Sequence, residues 1–379
     1  MSEDVVLFET LPAGDRKIGV ATLNAPKTLN SLSLEMIDKI SPQLDIWAAD
    51  DEIVMVLFQS AGEKAFSAGG DIQDLYRSMV AHPGGPNPYA DAFFEREYRL
   101  DYKIHTYSKP VMVWAHGIVM GGGLGVMAAC SHRVGTEKSR IAMPEITIGL
   151  FPDAGATWFL AQMEEHWAYY LAWTGTHMNG PDAKRVGFVD HLVDAAAKDE
   201  LIRALQQLNW TTDHDENRHR LSQLIGEFEA RATEMPASSL DAHDEAVRAL
   251  IGESLQAAEP HVAFLNGALA SSDEWIARGG AGLQGGAPTT ASIVTRQIRE
   301  ARALLSHPQA LREIFKLELI IAVQCSRHPE FAEGIRALLI DKDGKPAWQY
   351  PDFSAVPDSW IEEHFTAPWA VHPLDDLPA

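Results

Sequence analysis

The sequence predicts an α/β fold with a helical C-terminal region, on three observations. Short apolar runs alternate with helical spacings up to about residue 195, the pattern of a largely parallel sheet with crossover helices. Two of those apolar runs are followed by glycine-rich loops, Ala68-Gly69-Gly70 and Gly121-Gly122-Gly123. Beyond residue 195 strand-like runs become rare and apolar residues recur at helical spacing.

Residues 4–9 and 17–23 read as two strands joined by the turn Pro12-Ala13-Gly14-Asp15. Leu34, Ile37, Ile40, Leu44 and Trp47 share one face of a helix over 33–49, with Pro42 placed to bend it. Ile53 to Phe58 is an unbroken apolar run, short enough for a buried strand, and Ala61 to Asp71 reads as a loop. Residues 82–89 are rich in Gly and Pro, and 90–107 read as a helix. Val111 to Ala115 is another buried strand, with helix resuming at the glycine triplet. Val111 to Cys130 carries no formal charge and is long enough to cross a bilayer. Three consecutive glycines, at about 1 kcal/mol each in a helix, make strand, turn and short helix the better reading.

Helices are expected over 240–257, 291–305 and 310–324, the last apolar almost all round and so buried. Gly279 to Pro288, with five glycines, reads as a link between two of them. The chain is therefore divided near residue 205, into a core over 1–205 and a helical region over 206–379. No internal repeat or heptad run is present.

The composition narrows the function. Of 379 residues, 46% are apolar and 22% charged, which excludes wholesale disorder. Thirty-one Lys and Arg against 53 Asp and Glu give a formal charge of −22, a surface that repels nucleic acid and anionic lipid. An anionic ligand can still be held locally, at a helix start or a cationic patch. Two cysteines, Cys130 and Cys325, make neither a disulfide framework nor a zinc site; no metal is expected. The acidic start Met1-Ser2-Glu3-Asp4, with no apolar stretch behind it, leads to the expectation of a cytoplasmic protein.

Three segments carry candidate chemistry. Met120-Gly121-Gly122-Gly123-Leu124-Gly125 follows a strand and opens a helix. Amides at a helix start have no intrahelical partner, and glycine admits a substrate carbonyl close to the backbone; the alternative is a tight turn serving helix packing. Ala65-Phe66-Ser67-Ala68-Gly69-Gly70-Asp71-Ile72 offers a second set of amides at a strand end. Two such loops can converge on one oxygen as an oxyanion hole. Ser67 lies outside any nucleophile-elbow pattern. Met143-Pro144-Glu145 and Gly149-Leu150-Phe151-Pro152-Asp153 place two carboxylates in an apolar loop. They are either buried, with raised pKa values suited to base or nucleophile work, or two surface acids. His116 is a weaker candidate at a strand end, and His214 and His219 read as a solvated loop.

In combination, Asn24 to Leu32, Ala65 to Ile72, Lys109-Pro110 with the glycine triplet, and Met143 to Gly155 resemble the crotonase superfamily, the enoyl-CoA hydratase/isomerase family. The resemblance implies a crotonase-like spiral of ββα units that binds acyl-CoA, with Gly70 and Gly122 supplying the oxyanion-hole amides. It implies no separate cofactor, coenzyme A being part of the substrate, and it admits a homo-oligomer. Hydratases of the family carry a glutamate two residues after the triplet, where this chain has Gly125; their second glutamate matches Glu145, and Asp153 replaces a usual glycine. The stretches around Glu145 and Asp153, Phe94-Glu95-Arg96-Glu97-Tyr98 and Phe331 to Asp343 resemble the branch that hydrolyses short 3-hydroxyacyl-CoA thioesters, 3-hydroxyisobutyryl-CoA foremost. In that reading Glu145 is nucleophile or base, Asp153 orients the 3-hydroxyl or assists the leaving thiolate, and Glu97 lines the acyl pocket, within valine catabolism. Ala156-Thr157 stand where that branch usually has more glycine. The rival readings are a hydratase or isomerase on the same fold and a non-catalytic acyl-CoA-binding protein.

Overall fold

A computed structural model describes residues 4–378; Met1 to Glu3, which carry part of the cytoplasmic expectation, lie outside the described residues. The chain forms two compact units that interleave rather than divide at one point near residue 205. One comprises residues 1–70, 100–141 and 178–242, the other 71–99, 142–177 and 243–379.

The first unit is the α/β core that the alternating pattern predicts. Its strands are β1 (Val6–Ala13), β2 (Arg16–Leu23), β3 (Ile53–Ser60), β4 (Ala65–Ser67), β5 (Val111–Ala115), β6 (Ile118–Met120), β7 (His132–Gly135), β8 (Arg140–Ala142) and β9 (His191–Leu192). The larger sheet has the order β1-β2-β3-β5-β7-β9, and β4-β6-β8 form a smaller one. Only the β1–β2 hairpin of the larger sheet is antiparallel. Its turn is Gly14-Asp15, tighter than expected, because Pro12 stays in the strand opposite Lys17. A proline is tolerated there because β1 is an edge strand.

Each long strand β3, β5 and β7 is followed by a short one, β4, β6 and β8. The long strands are neighbours in one sheet and the short strands in the other, so corresponding loops of successive turns lie side by side. The short strands β4 and β6 fall in stretches read as loop and as turn: three residues are too few to show a period. On one face of the larger sheet Ile18, Val20, Met55, Leu57, Met112 and Trp114 alternate at period two and pack on Leu201, Leu205, Leu221, Ile225 and Phe228. Those last residues lie on the helices Lys198–Gln207 and His214–Glu229. The second helix begins in the histidine-bearing run read as a loop, because Asp213 caps it by accepting from the amides of Asp215 and Glu216.

The second unit is largely helical. Its aromatic core includes Tyr170 stacked on Trp275 at 4.9 Å between centroids, and Phe264 edge-on to Tyr170 at 5.7 Å. Helices Pro288–Leu304 and Ala310–Arg327 match two of the expected ones closely. The glycine-rich stretch expected as a link is instead helix, Glu274–Gly285. Three of its glycines, Gly279, Gly280 and Gly282, sit in close packing contacts. A Cβ on Gly279 would meet the Tyr170 hydroxyl, which it would approach to within 2.4 Å, and one on Gly282 would lie 2.6 Å from the Thr174 carbonyl. The helix gives up intrinsic propensity and gains contact with its neighbour. Among the described residues no helix is long and apolar enough to cross a membrane. The segment 111–130 contains β5, β6 and the eight-residue helix Gly122–Ala129.

Candidate active site

In the first unit the two glycine loops are held together. β4 and β6 pair in parallel, Ser67 opposite Val119, and the loops continue from their ends. A Cβ on Gly123 would lie 2.5 Å from the Ser67 Cβ and 2.6 Å from its carbonyl, and Gly69, at φ +112°, faces the Met120 carbonyl. Gly123 needs to be glycine because the β4 chain passes too close for a Cβ, and Gly69 because of its positive φ. The Gly69–Gly70 loop is also tied to the Asn24–Leu32 segment. Ala68 N–H donates to the Leu29 carbonyl at 3.0 Å and Leu32 N–H to the Gly69 carbonyl at 2.7 Å. The Asn30 side chain donates to the Ala65 carbonyl at 3.0 Å. Asn30 adopts φ +55° to do so, a conformation asparagine tolerates better than most residues. The Asn24–Leu32 segment thus serves as a brace for this loop.

The amides are directed accordingly. In the parallel bridge between Leu32 and Gly70, Leu32 bonds the carbonyl of Gly69, which leaves the N–H of Gly70 pointing away from Leu32. Gly122 is the first residue of its helix, after Gly121 at φ 49°. The bonds to the Gly121 carbonyl come from Leu124 and Gly125, so the Gly122 N–H precedes the helical ladder. That helix, Gly-Gly-Leu-Gly-Val-Met-Ala-Ala, contains no acid. His116 is bound through Nε2 to the Gly62 carbonyl at 3.0 Å, a structural role in the turn before β4. Cys130 is a buried free thiol at that helix's end.

The second unit gathers the acids. Glu145 opens a 3-10 turn, Glu145–Ile148, that ends at Gly149 with φ 72°. The turn is fixed from outside: a Cβ on Gly149 would meet the Glu330 backbone at 2.6 Å, and one on Gly334 would meet the Ile148 carbonyl at 2.4 Å. Leu150 N–H donates back to the Glu145 carbonyl at 3.1 Å. Asp153 accepts from the Tyr98 hydroxyl at 2.6 Å. Glu97 precedes Tyr98 on the helix Pro88–His105. Relative exposures of 3% for Glu97, 4% for Glu145, 7% for Asp153 and 0% for Glu318 decide between the two readings of the loop acids in favour of burial. Among the described residues, Glu145 Oε2 and Glu97 Oε1 are buried without a hydrogen-bond partner.

Sequence reasoning missed Glu318 and gave Tyr98 no role. Glu318 lies on Ala310–Arg327, on the buried face with Ile314, Ile321 and Ala322. An acid in phase with the apolar face of that helix, among Ile314, Ile321 and Ala322, was the available signal.

Burial pushes the carboxyls of Glu145, Glu97 and Asp153 above their ordinary values. The charge of Asp153 adds to the effect at Glu145, and those of Asp153 and Glu318 add to it at Glu97. The Tyr98 bond partly offsets it at Asp153. Glu318 is raised by burial to about 8, against the opposing bonds from Thr157 and Gly155. Such carboxyls keep their protons in the folded state to a pH at which an unfolded chain has released them. The folded state then binds more protons, and stability falls as pH rises through this window. Buried histidines such as His132 and His261, lowered by burial to about 4, act in the opposite sense, but only below about pH 6.5. The expected result is a lower thermal unfolding midpoint at about pH 9 than at about pH 6.5. A flat or rising midpoint over that span contradicts the acid cluster.

Glu164, His166 and Asp244 approach one another closely enough to hold a metal ion. Arg248 already bridges the two acids, at 2.5 Å from Glu164 and 3.1 Å from Asp244.

Comparison with known proteins gives this arrangement a family. A model described as enoyl-CoA hydratase/isomerase matches residues 18–365, and the chain belongs to that family. A Danio rerio protein named "3-hydroxyisobutyryl-CoA hydrolase, mitochondrial" is 35% identical over 96% of this chain and 89% of its own length. The Homo sapiens protein of the same name is 33% identical over 92% and 86%. Among solved structures, a carnitinyl-CoA dehydratase from Mycobacterium thermoresistibile is similar with TM-score 0.82 and 28% identity, covering 98% of each chain. An enoyl-CoA hydratase from Rhodobacter sphaeroides is similar with TM-score 0.80 and 30% identity, covering 96% of this chain and 98% of that one. The names of the sequence relatives say mitochondrial, so the cytoplasmic expectation draws no support from them.

Proposed function

We propose that this protein hydrolyses the thioester bond of 3-hydroxyisobutyryl-CoA to the free acid and CoA, a step of valine catabolism. The reading is carried by one observation: two buried carboxyl side chains, Glu145 and Asp153, share a turn-and-loop segment. The helix after the glycine triplet meanwhile offers no acid at all. A hydratase on this fold uses an acid at the position of Gly125, and this chain lacks it. The names of the sequence relatives support the same substrate. The names of the solved structures, a dehydratase and a hydratase, favour loss or addition of water instead, and that is the reading to test against.

In the proposed reaction the thioester oxygen accepts hydrogen bonds from the amides of Gly70 and Gly122. Such donors stabilise the oxyanion as the carbonyl carbon becomes tetrahedral. A carboxylate oxygen of Glu145 attacks that carbon, the C–S bond breaks, and CoA leaves as the thiolate, taking a proton from solvent. Water then opens the mixed anhydride, releasing the 3-hydroxy acid and the Glu145 carboxylate. Direct attack by water, with Glu145 as general base, gives the same products. Asp153 accepts from the substrate's 3-hydroxyl, and Glu97 lines the acyl pocket.

The test is thiol release across CoA esters with and without a 3-hydroxyl, with consumption of enoyl-CoA followed in parallel. Thiol release selective for 3-hydroxyisobutyryl-CoA, without loss of the enoyl double bond, is expected. Enoyl-CoA consumption without thiol release refutes the proposal, and tight binding of CoA esters without turnover would make the chain a carrier.

A further inference from the structure

The loop that carries Asp153 is anchored by two side chains from remote helices. Glu318 accepts from the Gly155 N–H through Oε2 at 2.8 Å and from the Thr157 N–H through Oε1 at 3.0 Å. Gln297, on Pro288–Leu304, donates from Nε2 to the Pro152 carbonyl at 2.7 Å and to Thr157 Oγ1 at 2.6 Å. The residue before Asp153 and the residues two and four beyond it are thus held from outside the loop.

The loop needs holding. Ala154 sits at φ +54° and Gly155 at φ +83°, a left-handed pair that is sterically unfavourable for alanine. Glu318 and Gln297 are both fully buried. A carboxyl group is expensive to bury unless its oxygens are hydrogen-bonded, and here both accept from amides of this one loop.

We infer that Glu318 and Gln297 are positioning residues for the hydrolysis. Together they set the Pro152–Thr157 loop so that the oxygen of Asp153 not bonded by Tyr98 is presented to the 3-hydroxyl of the substrate. This rests on the role of Asp153 proposed above. It adds that recognition of the hydroxyl depends on two residues that do not touch it.

The experiment compares kcat/KM for 3-hydroxyisobutyryl-CoA and for isobutyryl-CoA, which lacks the hydroxyl, in the wild type, Glu318→Gln, Gln297→Leu and Asp153→Asn. Glutamine at 318 keeps the shape but turns an NH2 group toward an amide N–H. Leucine at 297 removes both donations and also an Oε1 atom that is buried without a partner, but it leaves the two Glu318–amide bonds in place, so this variant tests the inference independently of the first. Each of the two is expected to narrow the preference for the hydroxylated substrate about tenfold, the scale of a misplaced contact. The isobutyryl-CoA rate should stay within about twofold, and Asp153→Asn combined with Glu318→Gln should narrow the preference no further than Asp153→Asn alone. Equal losses on both substrates, or an unchanged preference in both variants, overturn the inference while leaving Asp153 in place. An unchanged preference in Asp153→Asn itself overturns the reading on which the inference rests.

Discussion

Glu145→Gln is expected to keep its fold and lose nearly all thiol release from 3-hydroxyisobutyryl-CoA. Glutamine has the volume of glutamate and fits the same 3-10 turn, which is set by Gly149 and by the packing of Ile148 on Gly334. It can neither form an anhydride that water reopens nor take a proton from water. A positioned base contributes roughly 10²–10⁴-fold, and a fall of at least that size in kcat is the expected result. Stability should not suffer: the substitution removes a buried carboxyl whose proton affinity is raised by burial and by the charge of Asp153, and so relieves repulsion. Near-normal turnover by a folded Glu145→Gln variant would remove this residue from the mechanism. The same burial fixes the pH dependence in the wild type. Only the ionised carboxylate attacks, so the acid limb of the rate profile should lie well above the ordinary glutamate range.

Asp153→Asn is expected to change selectivity more than rate on a simple ester. The asparagine oxygen can still accept from Tyr98, which donates to Asp153 at 2.6 Å, but the second acceptor oxygen becomes an amide donor. A hydrogen bond to a charged group is worth about 1.5–3 kcal/mol, so the preference for the 3-hydroxylated substrate should narrow by roughly 10- to 100-fold. A preference that survives the substitution would assign recognition of the hydroxyl to another group.

How much of this was legible in the sequence depended on whether a residue's role is local. Val111–Ala115 and Ile53–Ser60 were readable because a buried parallel strand is a short apolar run. β4 and β6 were not, since three residues carry no period; their positions follow only once β3 and β5 are seen to be neighbours. Gly70, Gly122, Glu145 and Asp153 sit in contiguous motifs with a chemical pattern. Glu318 and Gln297 act on that pattern from helices far along the chain, and nothing around them reveals which loop they will meet. The helix Glu274–Gly285 shows the converse. Its glycines signal a flexible link until Tyr170 and Thr174 are placed against them.

The proposed reaction requires one arrangement: a thioester oxygen between two amides, with a buried glutamate facing its carbon. The most direct test is a crystal structure of Glu145→Gln with intact 3-hydroxyisobutyryl-CoA. The predicted result has the carbonyl oxygen within hydrogen-bonding distance of the N–H groups of Gly70 and Gly122, the residue-145 side chain against the thioester carbon, and the 3-hydroxyl on Asp153. A bound thioester whose carbonyl meets neither amide, or whose carbon faces away from residue 145, would contradict it.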